Sequence, residues 1–246
     1  MRHCLFLGDA HILPEDRDFQ ERLSSFLLSL DGTFDHIFIL GDLFEFWFGF
    51  EDYPFQEEYG VVLDALRQVV SRGTRLVYFE GNHDFNMGPI FSEELHASVF
   101  PNWSGFEVDG SRWFVTHGDL VEAQCLRYGA YRKLIRNRLT YRLIRLLGPR
   151  MVLKVAGKMG ALSHQVYHKP QAYNPERYST YIKEQFSKGY DVVIMGHTHR
   201  ADIIEQKVGE RTCLYVNCGD LRKDETFVTY HPKAGFAIRT GLSPLK

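Results

Sequence analysis

Five apolar runs in this chain each end in residues able to hold a cation. Leu5-Phe6-Leu7-Gly8 leads into Asp9-Ala10-His11, and Ile37 to Leu40 leads into Gly41-Asp42. Leu76 to Phe79 leads into Gly81-Asn82-His83-Asp84, Trp113-Phe114-Val115 into His117-Gly118-Asp119, and Val192 to Met195 into Gly196-His197-Thr198-His199. A short apolar run closed by glycine and a carboxylate is how a buried strand hands over to an active-site loop in an α/β fold. The runs are therefore read as strands that deliver Asp, Asn and His to one edge of one sheet.

The chemistry this predicts is the binding of two divalent metal ions. The candidate ligands are Asp9, His11, Asp42, Asn82, His117, His197 and His199. Residues at i and i+2 of an extended segment point to the same side, so Asp9 with His11, and His197 with His199, are expected to chelate. Asn82 adds a neutral oxygen and His117 another imidazole. This nitrogen and oxygen set suits Mn, Fe, Zn or Co, and it contains no thiolate that would favour a structural zinc. Two such ions about 3.5–4 Å apart clamp the attacking and leaving oxygens of a phosphoryl centre and lower the pKa of bound water toward about 7. A carboxylate shared by both ions must be close to each, and Asp42 lies centrally in chain order. His3, His36, His96, His164, His168 and His231 carry no such context and are read as ordinary histidines.

Holding those residues in place requires a sizeable core. The chain has 246 residues, 44% of them apolar, and a formal net charge of -2. That size fits one α/β domain with an insertion, and the composition excludes disorder. The near-neutral charge gives no global attraction to nucleic acid or lipid. Cys4, Cys125, Cys213 and Cys218 form no CxxC pair, so reduced thiols in a cytoplasmic protein are expected. The residues before Asp9 are too few for a signal h-region, and no apolar run approaches the ~20 residues needed to span a bilayer.

In chain order, residues 1–8 read as a strand, Asp18 to Leu30 as a helix and 37–41 as a parallel strand, a first βαβ unit. The aromatic segment Leu43 to Gly49 is expected to pack under the next helix, Glu57 to Val70. A strand over 75–80, a helix-like Ser92 to Ala97, and a hairpin pairing Phe106 to Val108 with 112–116 through Asp109-Gly110 follow. Pro175 to Ser187 reads as a helix, 191–195 as a strand, and 201–239 as short antiparallel strands. Between the hairpin and that helix, residues 122–168 break the pattern. Arg127, Arg132, Lys133, Arg136, Arg138, Arg142, Arg145, Arg150, Lys154 and Lys158 interleave with many Leu, Ile, Val and Met, and no Asp or Glu occurs from 123 to 175. Gly148-Pro149 splits this stretch into a basic, amphipathic helical hairpin.

The five blocks resemble, in order, the signatures of the calcineurin-like metallophosphoesterases. The resemblance implies a four-layer α/β/β/α sandwich with two facing mixed sheets. It implies that Asp9, His11, Asp42 and His199 hold one metal, and that Asp42, Asn82, His117 and His197 hold the other. His83 would then touch the scissile phosphate or protonate the leaving oxygen. Within that superfamily, Gly41-Asp42-Leu43-Phe44-Glu45, Trp47, Gly49, the helical insertion after His117-Gly118-Asp119, and Tyr128-x-Ala130-Tyr131-Arg132 are similar to the UDP-2,3-diacylglucosamine pyrophosphatases of lipid A synthesis. That similarity implies Mn2+ as cofactor, an acylated UDP-sugar as substrate, UMP and a diacylglucosamine 1-phosphate as products, and the insertion as a lid. Asn82, Tyr128, Arg132 and Lys158 are the substrate contacts it suggests. The best-known members carry Arg at the position of His83, and paired acidic residues at Gln124 and Cys125. Independently, a basic amphipathic hairpin offers an apolar slot and guanidinium groups for phosphate. It also offers a surface for an anionic membrane, worth about 1 kcal/mol per nearby Lys or Arg. Nucleic acid is not an expected partner.

Overall fold

A computed structural model describes residues 3–30, 32–50, 56–149, 151–152 and 174–243. Lys158, His164 and His168 lie outside these residues. The N-terminal half runs β1 (Cys4–Leu7), α1 (Arg17–Ser29), β2 (His36–Ile39), β3 (Trp47–Phe48), α2 (Gln56–Ser71), β4 (Arg75–Phe79) and β5 (Asp84–Phe85). It continues with β6 (Ser98–Phe100), β7 (Trp103–Val108), β8 (Ser111–Thr116), α3 (Leu120–Ala123), α4 (Leu126–Ile135) and α5 (Arg138–Leu147). The C-terminal part comprises α6 (Pro175–Ser187), β9 (Val192–Met195), β10 (Asp202–Val208), β11 (Arg211–Asn217), β12 (Thr226–His231) and β13 (Gly235–Thr240).

The strands form two main sheets, not one. The first has the order β13-β12-β1-β2-β4-β6, the second β10-β11-β9-β8-β7, and β3 pairs with β5 separately. The single-edge expectation is thus corrected: β1, β2 and β4 end the first sheet, while β8 and β9 end the second. The reason lies in the alternation of side chains along each strand. Leu5, Leu7, Ile37, Ile39, Leu76 and Tyr78 pack with α1 and α2. Cys4, Phe6, Phe38, Leu40, Val77 and Phe79 pack instead against Trp113, Val115, Ile194 and Val216 of the second sheet. On the far side, Phe114, Val193, Met195 and Tyr215 meet Tyr178, Ile182 and Phe186 of α6. Three apolar seams between four layers make the α/β/β/α sandwich. Strands apolar on both faces look alike whichever sheet they join, so the run of residues alone does not separate them.

The helices follow their local signals. Asp16 caps α1 by accepting from the Phe19 amide at 3.2 Å, and Phe19, Leu23, Phe26 and Leu27 are its buried stripe. Asn174 caps α6 just before Pro175. The helix-like Ser92 to Ala97 is instead one π turn, Ile90–Glu94, closed by the Leu95 amide donating to the Ile90 carbonyl at 2.9 Å. Phe44, Trp47 and Phe48 are fully buried, Phe44 tilted against Tyr59, Trp47 edge-to-face with Phe91 and Phe48 edge-to-face with Phe85. The aromatic segment after Asp42 is therefore a wedge that fixes the loop from below.

Within the insertion, Asn137 caps α5 by accepting from the Leu139 and Thr140 amides, and Gly148 ends it at φ 73°. Tyr141 and Ile144 face inward, Tyr141 against the Phe48 ring. Leu139, Leu143, Leu146 and Leu147 face solvent, interleaved with exposed Arg138, Arg142 and Arg145. Among the described residues, no helix is long and apolar enough to cross a membrane.

Candidate metal centre

The loops that carry Asp9 and His11, Asp42, and His197 and His199 turn sharply out of their strands. Asp9, His11, Asp42, His197 and His199 have φ of 51°, 42°, 50°, 67° and 55°, the left-handed region that few non-glycine residues occupy. The expected extended geometry is therefore corrected at both pairs. Asp9 and His11 still converge on one group despite the turn, whereas His197 and His199 diverge. His199 faces Asp9 and His11, whereas His197 faces Asp42 and His117. The turns are held by the Asp9 amide on the Gly41 carbonyl at 3.1 Å, and by the Ala10 and His11 amides on the Asp42 carbonyl at 2.9 Å. Two glycines are dictated by crowding. A Cβ on Gly81 would fall 2.0 Å from Asp42 Oδ1, and one on Gly196 would fall 2.6 Å from Asp9 Oδ2.

Three groups of side chains could each hold an ion: Asp9, His11 and His199; His11, Asp42 and His83; and Asp42, His117 and His197. Asp42 stands in two of them. Its Oδ2 lies 3.4 Å from His117 Nε2 and 3.9 Å from His11 Nε2. Asn82 Oδ1 lies 3.2 Å from His117 Nε2, and His197 Nδ1 lies 3.0 Å from that same nitrogen. His199 Nε2 is 3.7 Å from Asp9 Oδ1, a buried oxygen with no hydrogen-bond partner. A buried carboxylate oxygen without a donor is costly, and a cation is the partner that fits it. The structure thus brings together all of Asp9, His11, Asp42, Asn82, His117, His197 and His199, with His83 at their margin.

Neighbouring acceptors set which imidazole nitrogen faces inward, because a carbonyl or carboxylate can only accept. His117 Nδ1 donates to the Leu40 carbonyl at 2.6 Å. His11 Nδ1 meets Glu45 Oε2 at 3.0 Å, and His199 Nδ1 meets Asp220 Oδ2 at 2.7 Å. In all three the Nε2 lone pair points to the centre, the arrangement that raises ligand basicity in metal sites. His197 is reversed: its Nε2 lies 3.4 Å from Glu122 Oε2. Reading the motifs alone misses Glu45, Glu122 and Asp220 as these partners. Asp220 had a signal, since Leu214 to Cys218 followed by Gly219-Asp220 repeats the pattern of an apolar run, a glycine and a carboxylate. Asp84 is knotted below the site. It accepts from the amides of Gly81 at 3.0 Å, Asp42 at 2.9 Å and Leu43 at 2.7 Å, and from the Tyr78 hydroxyl at 2.5 Å.

Charge in this centre is tightly coupled. Burial works against ionisation of Asp42, but His117 and His83 outweigh it and hold the carboxyl well below its usual range. Burial likewise opposes the imidazolium of His11, yet Glu45 and Asp42 raise it to about 9. His117, opposed by burial and supported by Asp42, rises to about 10. Burial and Asp42 push Asp84 up to about 7.

The substrate-side expectations meet a more constrained picture. The Tyr128 hydroxyl donates to Asp119 Oδ2 at 3.4 Å. Arg132 Nε donates to the same oxygen at 2.6 Å, and its Nη2 donates to Asn102 Oδ1 at 2.9 Å. His83 Nδ1 donates to the Glu45 carbonyl at 3.0 Å.

The sequence profile of the calcineurin-like phosphoesterase superfamily domain matches residues 1–235. The chain belongs to the calcineurin-like phosphoesterase superfamily. The superfamily accounts for a hydrolase fold whose site combines carboxylates and imidazoles. Relatives are named UDP-2,3-diacylglucosamine hydrolase. One from Haemophilus influenzae (strain PittGG) is 27% identical over 241 residues, covering 96% of this chain and 97% of its own. One from Ralstonia nicotianae is 34% identical over 191 residues, covering 72% of this chain and 69% of its own. Among solved structures, an archaeal phosphodiesterase superposes with a TM-score of 0.50 at 14% identity, covering 97% of this chain and 99% of that one. At that identity the likeness concerns the fold.

Proposed function

We propose that the protein hydrolyses a phosphoric anhydride with two divalent metal ions, and that its substrate is UDP-2,3-diacylglucosamine, giving UMP and 2,3-diacylglucosamine 1-phosphate. The observation that carries the hydrolytic reading is the place of the buried Asp42 in two carboxylate–imidazole groups of one centre. Asp9, His11, Asp42 and His199 would hold one ion, and Asp42, Asn82, His117 and His197 the other. Mn2+ suits this oxygen and nitrogen set. The bound ions supply Lewis acidity at the phosphoryl oxygens and an acidified water. The chain's own groups do the rest. His83 donates a hydrogen bond from Nδ1 to the Glu45 carbonyl, so that in the imidazolium form it is Nε2 that would pass its proton to the leaving oxygen. Arg132 keeps Nη1 clear of hydrogen bonds among the described residues, and with Tyr128 and Asn82 it faces the diphosphate in this reading. Lys158 is proposed as a further contact from sequence alone.

The lipid part of the reading is supported by the relatives' names over nearly the full chain and by the exposed leucines and arginines of α5. In the same reading residues 122–168 act as a lid on one domain spanning 1–246, and α5 rests on an anionic membrane surface at the cytoplasmic face. The deciding experiment incubates the Mn2+-loaded protein with UDP-2,3-diacylglucosamine and follows UMP. Release of UMP that Asp42→Ala abolishes supports the assignment. No release from a protein that binds its metals rejects it. A second reading, hydrolysis of a different nucleotide or phosphoester, is favoured by His83 standing where the best-known members carry Arg. Turnover of a small nucleotide faster than the lipid substrate selects it.

A further inference from the structure

Helix α4 reaches the metal edge with two guanidinium groups one helical turn apart. Arg132 is bound to Asp119 as described, and its Nη2 also donates to the Pro101 carbonyl at 3.3 Å. Arg136, on the residue that ends α4, donates from Nη1 to Glu80 Oε2 at 3.1 Å and to the same Pro101 carbonyl at 2.6 Å. Its Nη2 donates to the Gly81 carbonyl at 2.6 Å, and its guanidinium lies over the Phe85 ring, 5.6 Å from the centroid. Asp119 follows β8 of the second sheet. Glu80 and Gly81 follow β4 of the first. Pro101 sits on the link between β6 and β7, where the chain passes from one sheet to the other. One helix thus grips both sheets, at the loops that carry His117 and Asn82.

These are not loose surface pairs. Side-chain exposure is 14% for Arg132 and 1% for Asp119, and 13% for Arg136 and 10% for Glu80. Two like charges a turn apart repel, and a buried guanidinium requires an anionic partner. Each carboxylate meets that need from a different sheet.

We propose that Arg132 and Arg136 are positioning residues that clasp the two sheets across the metal edge, so that docking of α4 and binding of cations are linked. The proposal rests on the metal-binding reading above, and extends it by making the insertion part of the metal centre and not only a cover for substrate. The path runs through Gly81. Arg136 fixes its carbonyl, Asp84 fixes its amide at 3.0 Å, and it has no room against Asp42. A shift of that turn displaces Asn82 from His117 and breaks the bond from the His83 amide to Asp42 Oδ1 at 2.9 Å. Linkage of this kind is reciprocal: if α4 steadies the ligands, the ions must steady α4.

The test is amide hydrogen exchange on the full chain with and without saturating Mn2+, with bound metal counted in the same samples. Exchange at 126–136 and 80–84 is expected to slow by about tenfold or more when metal binds. In a second arm, Glu80→Gln with Arg136→Met removes both charges together, so that neither is left buried alone. That variant is expected to keep its circular dichroism, to bind Mn2+ about tenfold more weakly, and to lose most of the metal-induced protection at 126–136. Wild-type protein that binds Mn2+ while exchange at 126–136 stays the same overturns the clasp, whatever the variant does. Unchanged affinity and protection in the folded double variant overturn the Arg136 arm. Wild-type protein that binds no Mn2+ rejects instead the metal reading on which the clasp stands.

Discussion

His83 separates two roles that its neighbours combine. It belongs to one of the possible cation groups, yet its Nδ1 is spent on a backbone carbonyl and its amide on Asp42. If it moves a proton and holds no ion, His83→Ala leaves the metal content unchanged and lowers turnover by ~10²–10⁴. Elemental analysis of the purified variant alongside its rate distinguishes the roles, since loss of an ion would make it a ligand. The candidate ligands were legible in the sequence because each is local: a strand, a glycine and a polar residue in a few positions. Glu45, Glu122 and Asp220 were not, because what they do depends on which imidazole the fold brings to them. Arg132 shows the same limit. An arginine in a basic helix reads as free for phosphate, and only the approach of Asp119 reveals that two of its nitrogens are committed.

At the level of elements, α5 is the outlier. Its inward face is two side chains wide, and its leucines 139, 143 and 146 are 76%, 55% and 84% exposed. An apolar stripe flanked by arginines lies well on an anionic bilayer. Leu143→Glu with Leu146→Glu is expected to abolish flotation with vesicles containing anionic lipid while leaving turnover of a short-chain, soluble substrate within about twofold, because neither side chain packs on the core. Helices α1, α2 and α6 were legible from periodicity, α6 to the residue, whereas the single helix expected before Gly148 is broken into α3, α4 and α5. The π turn at Ile90–Glu94 was not, since apolar spacing does not report whether a bond closes at i+4 or i+5. Sheet membership was hidden for a related reason: β1, β2, β4, β8 and β9 are apolar on both faces, and pairing partners far apart in sequence leave no local mark.

Across the whole molecule, the centre ties protonation to stability. Without metal, His11 and His117 are raised above their ordinary 6.5, to about 9 and about 10. A raised imidazole contributes stability that is complete below the ordinary value and is lost as pH climbs through the raised one. The metal-free protein is therefore expected to lose thermal stability between about pH 7 and 10, by scanning calorimetry at each pH. Metal requires the neutral imidazoles, so loading at pH 7.5 displaces the protons of both. Titration calorimetry in buffers of different ionisation enthalpy reads that release directly. Affinity should rise with pH over the same window.

Five side chains at this centre sit on backbone twisted into a conformation that favours glycine. Strain of that kind costs on the order of 1 kcal/mol or more per residue and persists only where surroundings enforce it. Endurance and activity are therefore set against each other here. His197→Gly should melt higher than His197→Ala in metal-free protein, although both are inert, because only glycine relaxes at φ 67°. A lineage selected for heat tolerance alone, with no demand for turnover, would be expected to dismantle its metal cage first and leave the sandwich standing.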